Sequence, residues 1–140
     1  MSNGVWNDHF YATSSPEIGA AGPGGFVEEL PAGYVFLTQV PGTTPLYRCF
    51  FPAPANDHFH TANKAEFDEA VSNGCQPVEP VSGTIGFLYS RRVCGAIPLY
   101  RVYNPITMDH FYTSNKAERD TAVSSGGYKS EGIVGYVLRA

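Results

Sequence analysis

The sequence predicts a mainly β chain with short helices. Three pseudo-symmetric repeats would form a compact closed assembly of small β-propeller type. Three observations carry this expectation. The triplet Asp-His-Phe occurs at Asp8-His9-Phe10, Asp57-His58-Phe59 and Asp109-His110-Phe111. Each triplet is followed by a polar cap and then a glycine–aromatic closure. Aromatic residues make up 14%, with 15 Gly and 11 Pro but only 16% charged residues, which suits short strands and turns better than a helix bundle. A β-trefoil-like barrel is the alternative, weakened by the helix signals below.

The chain reads as one domain, 1–140, with units of approximately 1–45, 46–98 and 99–140. The third unit shows the elements most clearly. Residues 99–103 alternate and are rich in β-formers, which predicts a strand, and Asn104-Pro105 predicts a turn. Residues 109–114 form a second strand. Asn115 with Glu118 predicts a capped short helix ending near Ser125, before Gly126-Gly127. Residues 128–138 are one bent strand or a tight strand pair. The second unit repeats the opener Leu46-Tyr47-Arg48 of Leu99-Tyr100-Arg101, the cap Asn63 with Glu66, and the closure Gly86-Phe87-Leu88. The first unit has no such opener. Its helix signal is degraded by Pro16 and the glycines of residues 19–25, although its closure Gly33-Tyr34-Val35 is intact.

The net charge of −4 and pI near 5.4 exclude a basic nucleic-acid footprint. Disorder is excluded by 43% hydrophobic content. No apolar run is long enough to span a membrane, so membrane insertion is not expected. The N-terminus has no basic segment followed by an apolar one. A cytoplasmic protein, or one released without a classical signal, is therefore expected, with an extracellular location left open. Cys49, Cys75 and Cys94 are odd in number and lack Cys-x-x-Cys spacing, so reduced structural thiols are expected and neither zinc nor any cofactor is.

The candidate binding residues are Trp6, Asp8, His9, Tyr11, Asp57, His58, His60, Asp109, His110 and Tyr112. Carboxylate, imidazole and aromatic side chains together match the paired hydroxyls and C–H face of a sugar ring. Strand alternation places the Phe face in the core and the His and Tyr face outward. The competing reading is that residues recur because each unit must fold the same way. Trp6 is a stacking platform, or a plug for the missing first strand. The Asn–Glu pairs read as helix caps, and Glu29, Glu79 and Glu131 as acceptors for turn N–H groups. Arg48 and Arg101 read as partners in inter-unit salt bridges.

The pattern of Leu99-Tyr100-Arg101, Tyr103-Asn104-Pro105, residues 109–113, residues 117–120, Glu131-Gly132-Ile133 and Gly135-Tyr136-Val137 resembles an extracellular tandem-repeat family of bacteria and fungi. Its members often accompany secreted hydrolases. The resemblance covers nearly the whole chain and implies a surface- or glycan-associated binding module. By analogy the chain is also similar to small cytosolic lectins of mushrooms. The expected function is thus non-enzymatic carbohydrate binding at two or three equivalent sites, with glycans or glycoconjugates as partners and a homodimer as an option. Triplicated acids offer no single asymmetric catalytic pair. The alternative is a protein-interaction module or protease inhibitor using residues 82–98.

Overall fold

The computed structural model describes residues 2–3, 8–9, 26–27, 33–77, 83–93 and 95–139. Among the described residues the fold is mainly β with two short helices. Strands β4 (Thr43–Phe51), β5 (Asp57–Thr61), β6 (Gln76–Pro77), β7 (Thr84–Tyr89), β8 (Ala96–Asn104), β9 (Asp109–Thr113) and β10 (Lys129–Leu138) make one antiparallel sheet. It runs β5-β4-β7-β10-β8-β9, with β6 also on β4, and curls into a half-barrel. Strands β1 (Ser2–Asn3), β2 (Asp8–His9) and β3 (Phe26–Val27) form a separate small sheet in the order β2-β1-β3. No closed propeller is seen among the described residues, because the large sheet follows an open path rather than separate blades.

The second and third units share one strand–strand–helix–strand plan. Helices α1 (Lys64–Ser72) and α2 (Lys116–Ser125) follow β5 and β9. Each starts on an asparagine whose side chain accepts the N–H three residues on: Asn63 from Glu66 at 3.1 Å, Asn115 from Glu118 at 3.2 Å. The reciprocal half of the capping box is made differently from the sequence expectation. Thr61 and Thr113 Oγ1 accept the cap N–H groups, each at 3.0 Å, which leaves Glu66 and Glu118 for other uses.

Strand β10 is the continuous counterpart of β6 plus β7. It pairs with β8 from Lys129↔Tyr103 to Leu138↔Ala96, with register breaks between Ser130 and Ile133 and between Ile133 and Gly135. The bulge holds Gly132 at φ +89°, a conformation that favours glycine. Glu131, just before this glycine, reaches Arg101 and His110.

The glycine–aromatic closures meet one another. Tyr34 bridges Leu138, Phe87 bridges Phe36, and Tyr136 pairs with Tyr89. A Cβ on Gly33 would lie 2.4 Å from Val137, one on Gly86 2.7 Å from Val35, and one on Gly135 2.3 Å from Leu88. Each glycine therefore gives room to the aliphatic residue of a neighbouring closure. Leu46, Ile85, Leu88, Leu99, Tyr112 and Val137 form the main apolar cluster around this junction.

The cysteine expectation is corrected. Cys49 and Cys75 form a disulfide with Cα atoms 5.5 Å apart. The expectation of reduced thiols rested on an odd count, but β4 and the entry to β6 run side by side and bring these two together. Cys94 lies outside the described residues. The bridge is buried with Phe59, Phe67 and Ala70 in a second cluster beneath α1.

Candidate functional site

The Asp-His-Phe strands β5 and β9 lie against each other, and β2 approaches both. Their polar side chains turn inward. Asp57 is 2% exposed, Asp109 1%, His60 3%, His110 8% and Tyr112 3%. The expectation of an outward His and Tyr face is corrected for these residues. A strand packed on both sides has no solvent face, so alternation does not sort it. His58 is half-buried, with its ring centroid 4.9 Å from that of Phe50. Asp8 and His9 make up β2, described only as backbone. Trp6 and Tyr11 lie outside the described residues, as does Glu79.

The interior residues are knit across units. Asp57 accepts the His110 backbone N–H at 2.9 Å through one oxygen and meets His110 Nδ1 with the other. His110 Nε2 lies 3.2 Å from Glu131 Oε1. With carboxylates at both ring nitrogens, the imidazolium, with two N–H donors, is the form that satisfies them. Burial pushes the His110 pKa down, but the Asp57 and Glu131 hydrogen bonds outweigh it and raise it above the ordinary 6.5. Burial raises the Asp57 carboxyl, with His110 opposing.

Arg101 is the hub. Nη1 and Nη2 donate to the two oxygens of Glu66, each at 2.8 Å, and Nε donates to Glu131 at 2.9 Å. Nη1 also donates to the His60 carbonyl at 3.2 Å, and the guanidinium lies 4.9 Å from the Phe59 ring centroid. These hydrogen bonds hold the Glu66 carboxyl below its ordinary range, against partial burial and with help from Thr61. Burial would raise Glu131, but His110 and Arg101 hold it low. Glu66 and Glu131 are thus neither cap nor turn acceptors. They clamp Arg101: the salt bridge expected for that residue is made to Glu66, in residues 46–98, and a second one to Glu131 in its own segment. Tyr112 completes the interior by donating to the His60 carbonyl at 3.0 Å and accepting its N–H at 2.6 Å.

An open groove of about 540 Å³ lies along α2, lined by Phe111, Ala117, Glu118, Thr121, Ala122 and Tyr128. Phe111 and Tyr128 present rings 6.1 Å apart and tilted by 56°. Tyr128 donates its hydroxyl to Asp109, which anchors the ring. The groove exists because α2 buries no residue, whereas α1 buries Phe67 and Ala70. Where the second unit has Phe67, stacked on Tyr47 at 4.9 Å, the third has Arg119, lying 4.4 Å over Tyr100. Where the second has Cys75, the third has Tyr128.

Residues 1–138 match the family described as "Domain of unknown function (DUF5648)". The chain belongs to this family. No curated protein and no solved structure matches it.

In this DUF5648 domain the buried Asp-His network is chemically suited to holding units together, with its groups engaged in one another. Among the described residues no set of three or more His, Cys, Asp or Glu side chains is arranged to hold a metal ion, and no helix is long and apolar enough to cross a membrane. The groove on α2 can do something different. Its lining brings together two half-buried aromatic rings, an exposed carboxylate and a threonine hydroxyl. Of its residues Phe111 and Tyr128 stood out in the sequence as parts of the strand and closure patterns, Ala117 as part of the repeat pattern and Glu118 as a cap, while Ala122 and Val123 read as turning inward, which is corrected because this helix buries no residue and Val123 is exposed. The available signal was the contrast between units at positions 67 and 119 and at 75 and 128.

Proposed function

We propose that this DUF5648 domain is a non-enzymatic carbohydrate-binding module whose glycan site is the α2 groove. The observation that carries the reading is the groove lining. A pyranose C–H face would lie on Tyr128 or Phe111, and ring hydroxyls would meet Glu118 and Thr121. The buried Asp57, His60, Asp109, His110 and Tyr112 then serve the site indirectly, by fixing the strand that carries Phe111 and, through Asp109, the Tyr128 ring. We also propose that three units close around the glycine–aromatic junction. The pairings Tyr34 with Leu138, Phe87 with Phe36 and Tyr136 with Tyr89 support this, since each joins the second residue of one closure to the fourth of another. A disulfide suits an oxidising compartment, which favours action outside the cytosol.

A glycan array followed by titration calorimetry tests the reading. Tyr128→Ala should weaken the best glycan about tenfold, the equivalent of a lost stacking contact. The absence of any glycan ligand, or a Tyr128→Ala variant that binds as well as wild type, would refute it.

A further inference from the structure

The glycine–aromatic junction has two faces. Leu88 and Val137 lie in the main apolar cluster, and Val35 packs against it. The residues that alternate with them, Tyr34, Phe36, Phe87, Tyr89, Tyr136 and Leu138, stand on the other face. Backbone pairing seats them side by side: Tyr34 against Leu138, Phe36 against Phe87, Tyr136 against Tyr89. The Phe36 and Tyr89 rings meet edge to face at 5.6 Å. Tyr34 is 57% exposed and the others are half-buried. The result is a mainly aromatic surface that reaches solvent.

Its charge is one-sided. Arg91 and Arg92 come just after Tyr89, and Arg139 directly follows Leu138. All three are exposed, and none forms an ion pair among the described residues. Arg92 holds its guanidinium 5.6 Å from the Tyr136 ring centroid, which brings a positive charge onto the face. Lys64, Arg101, Lys116 and Arg119 are by contrast all paired with carboxylates. The chain has 13 acidic residues to 9 basic ones, so a shortage of acids does not explain the difference. Nor does the turn require arginine. The link after the first closure is built alike: Val40 accepts the Thr43 N–H at 3.2 Å as Val93 accepts that of Ala96 at 3.1 Å, and Gly42 and Gly95 both sit at φ +84°. There the places of Arg91 and Arg92 are taken by Thr38 and Gln39, and Gln39 is spent on the Thr43 carbonyl.

We propose that this face is a second carbohydrate site, separate from the α2 groove, and that it takes acidic pyranoses, with the sugar ring on the tyrosines and its carboxylate on Arg92. A uronate carries its carboxylate at the ring edge. A sugar lying flat on Tyr89 therefore directs its charge sideways, toward the arginine held on the neighbouring Tyr136 ring. The planar guanidinium matches a carboxylate with parallel N–H donors. Arg91 and Arg139 add attraction for the same sign of charge. A second copy of the chain is a poor occupant, because like faces would bring arginine against arginine. An anionic bilayer is opposed by the net charge of −4, which the whole body would carry to an extended negative plane. The proposal does not rest on the α2 groove, and either site can fail without the other.

The test is calorimetry at neutral pH with an oligogalacturonate and its fully methyl-esterified counterpart of equal length, which keeps the rings and removes the charge. The free acid should bind at least about fivefold more tightly, the upper end for an exposed charge pair. Molar salt should erode the difference. Replacing Arg91→Gln and Arg92→Gln together should abolish the preference at an unchanged melting temperature. Lys64→Gln, which removes a charge from α1 instead, should retain it. Tyr89→Leu, which keeps the face apolar, should weaken acid and ester alike. Equal binding of acid and ester, or a preference that survives the double arginine variant, would overturn the proposal. It is overturned equally if neither sugar binds while the protein sediments with phosphatidylcholine–phosphatidylserine vesicles, or is retained by polyglutamate, in a manner that needs Arg92; the occupant is then a bilayer or an acidic protein.

Discussion

Replacing Arg101 with methionine tests whether the inter-unit clamp holds the fold. The guanidinium is nearly buried and donates to Glu66, Glu131 and the His60 carbonyl. Removing one partner of a buried ion pair costs about 3–5 kcal/mol, chiefly by stranding the other charge. Here Glu66 and Glu131 are 38% and 31% exposed at the side chain, so water rescues part of their loss and the cost falls to about 2 kcal/mol. Loss of the cation from the Phe59 face adds about 1 kcal/mol. Arg101→Met should therefore destabilise by about 3 kcal/mol, or about 10 °C in Tm for a domain of this size. Urea denaturation followed by tryptophan fluorescence and circular dichroism measures it. Adding Glu66→Gln should restore about 1 kcal/mol, because one stranded carboxylate is gone. A single variant within about 0.5 kcal/mol of wild type, or a double variant with strictly additive losses, would refute the clamp.

Stability should also depend on pH from both sides. His110 has a folded pKa above its unfolded value, so its contribution is complete below about pH 6.5 and lost as pH rises through the folded value. The raised Asp57 acts in the same direction. Glu66 and Glu131 are lowered, so theirs is complete above about pH 4.5 and lost as pH falls through the folded values. Melting temperature should peak between these limits, and His110→Gln should flatten the alkaline limb; an unchanged alkaline limb in that variant would exclude His110 as its source. Replacing both Cys49 and Cys75 with alanine opens a link spanning 26 residues and should cost about 3.5 kcal/mol by chain entropy alone, read as a lower urea midpoint than that of the oxidised protein.

The elements of the second and third units were legible because each has its own local signal. Alternation marks residues 99–103, an asparagine cap marks each helix start, and glycines mark the stop after α2. Helix α2 lies within one residue of where the cap and glycines put it. Alternation failed on β5 and β9, since both faces of each strand are largely covered. The disulfide was equally hidden. Cys49 and Cys75 meet through the pairing of Cys49 with Pro77 across β4 and β6, a register that neither residue's neighbourhood encodes. Glu66 was misassigned for a related reason. A glutamate three residues after an asparagine fits a capping box, and only the approach of Arg101 from the next unit claims it instead.

That misassignment shows what recurrence can select for besides a binding site. Residues that recur in 46–98 and 99–140 include those with which these two segments dock on each other, and a docking contact is consumed in the interior. Asp57 and His110 are the clearest pair: one unit's aspartate is spent on another's histidine. A surface open to ligand is better sought where equivalent positions differ. In the second unit Phe67, the disulfide and the clamped Glu66 fill the space beside the helix. In the third, Arg119 turns to Tyr100, Tyr128 replaces the half-cystine, and Glu118 faces solvent. One framework thereby produces a sealed unit that contributes stability and an open one that can contribute recognition. Such a division needs only that the shared contacts stay intact while the helix face drifts, which is the condition the buried network supplies.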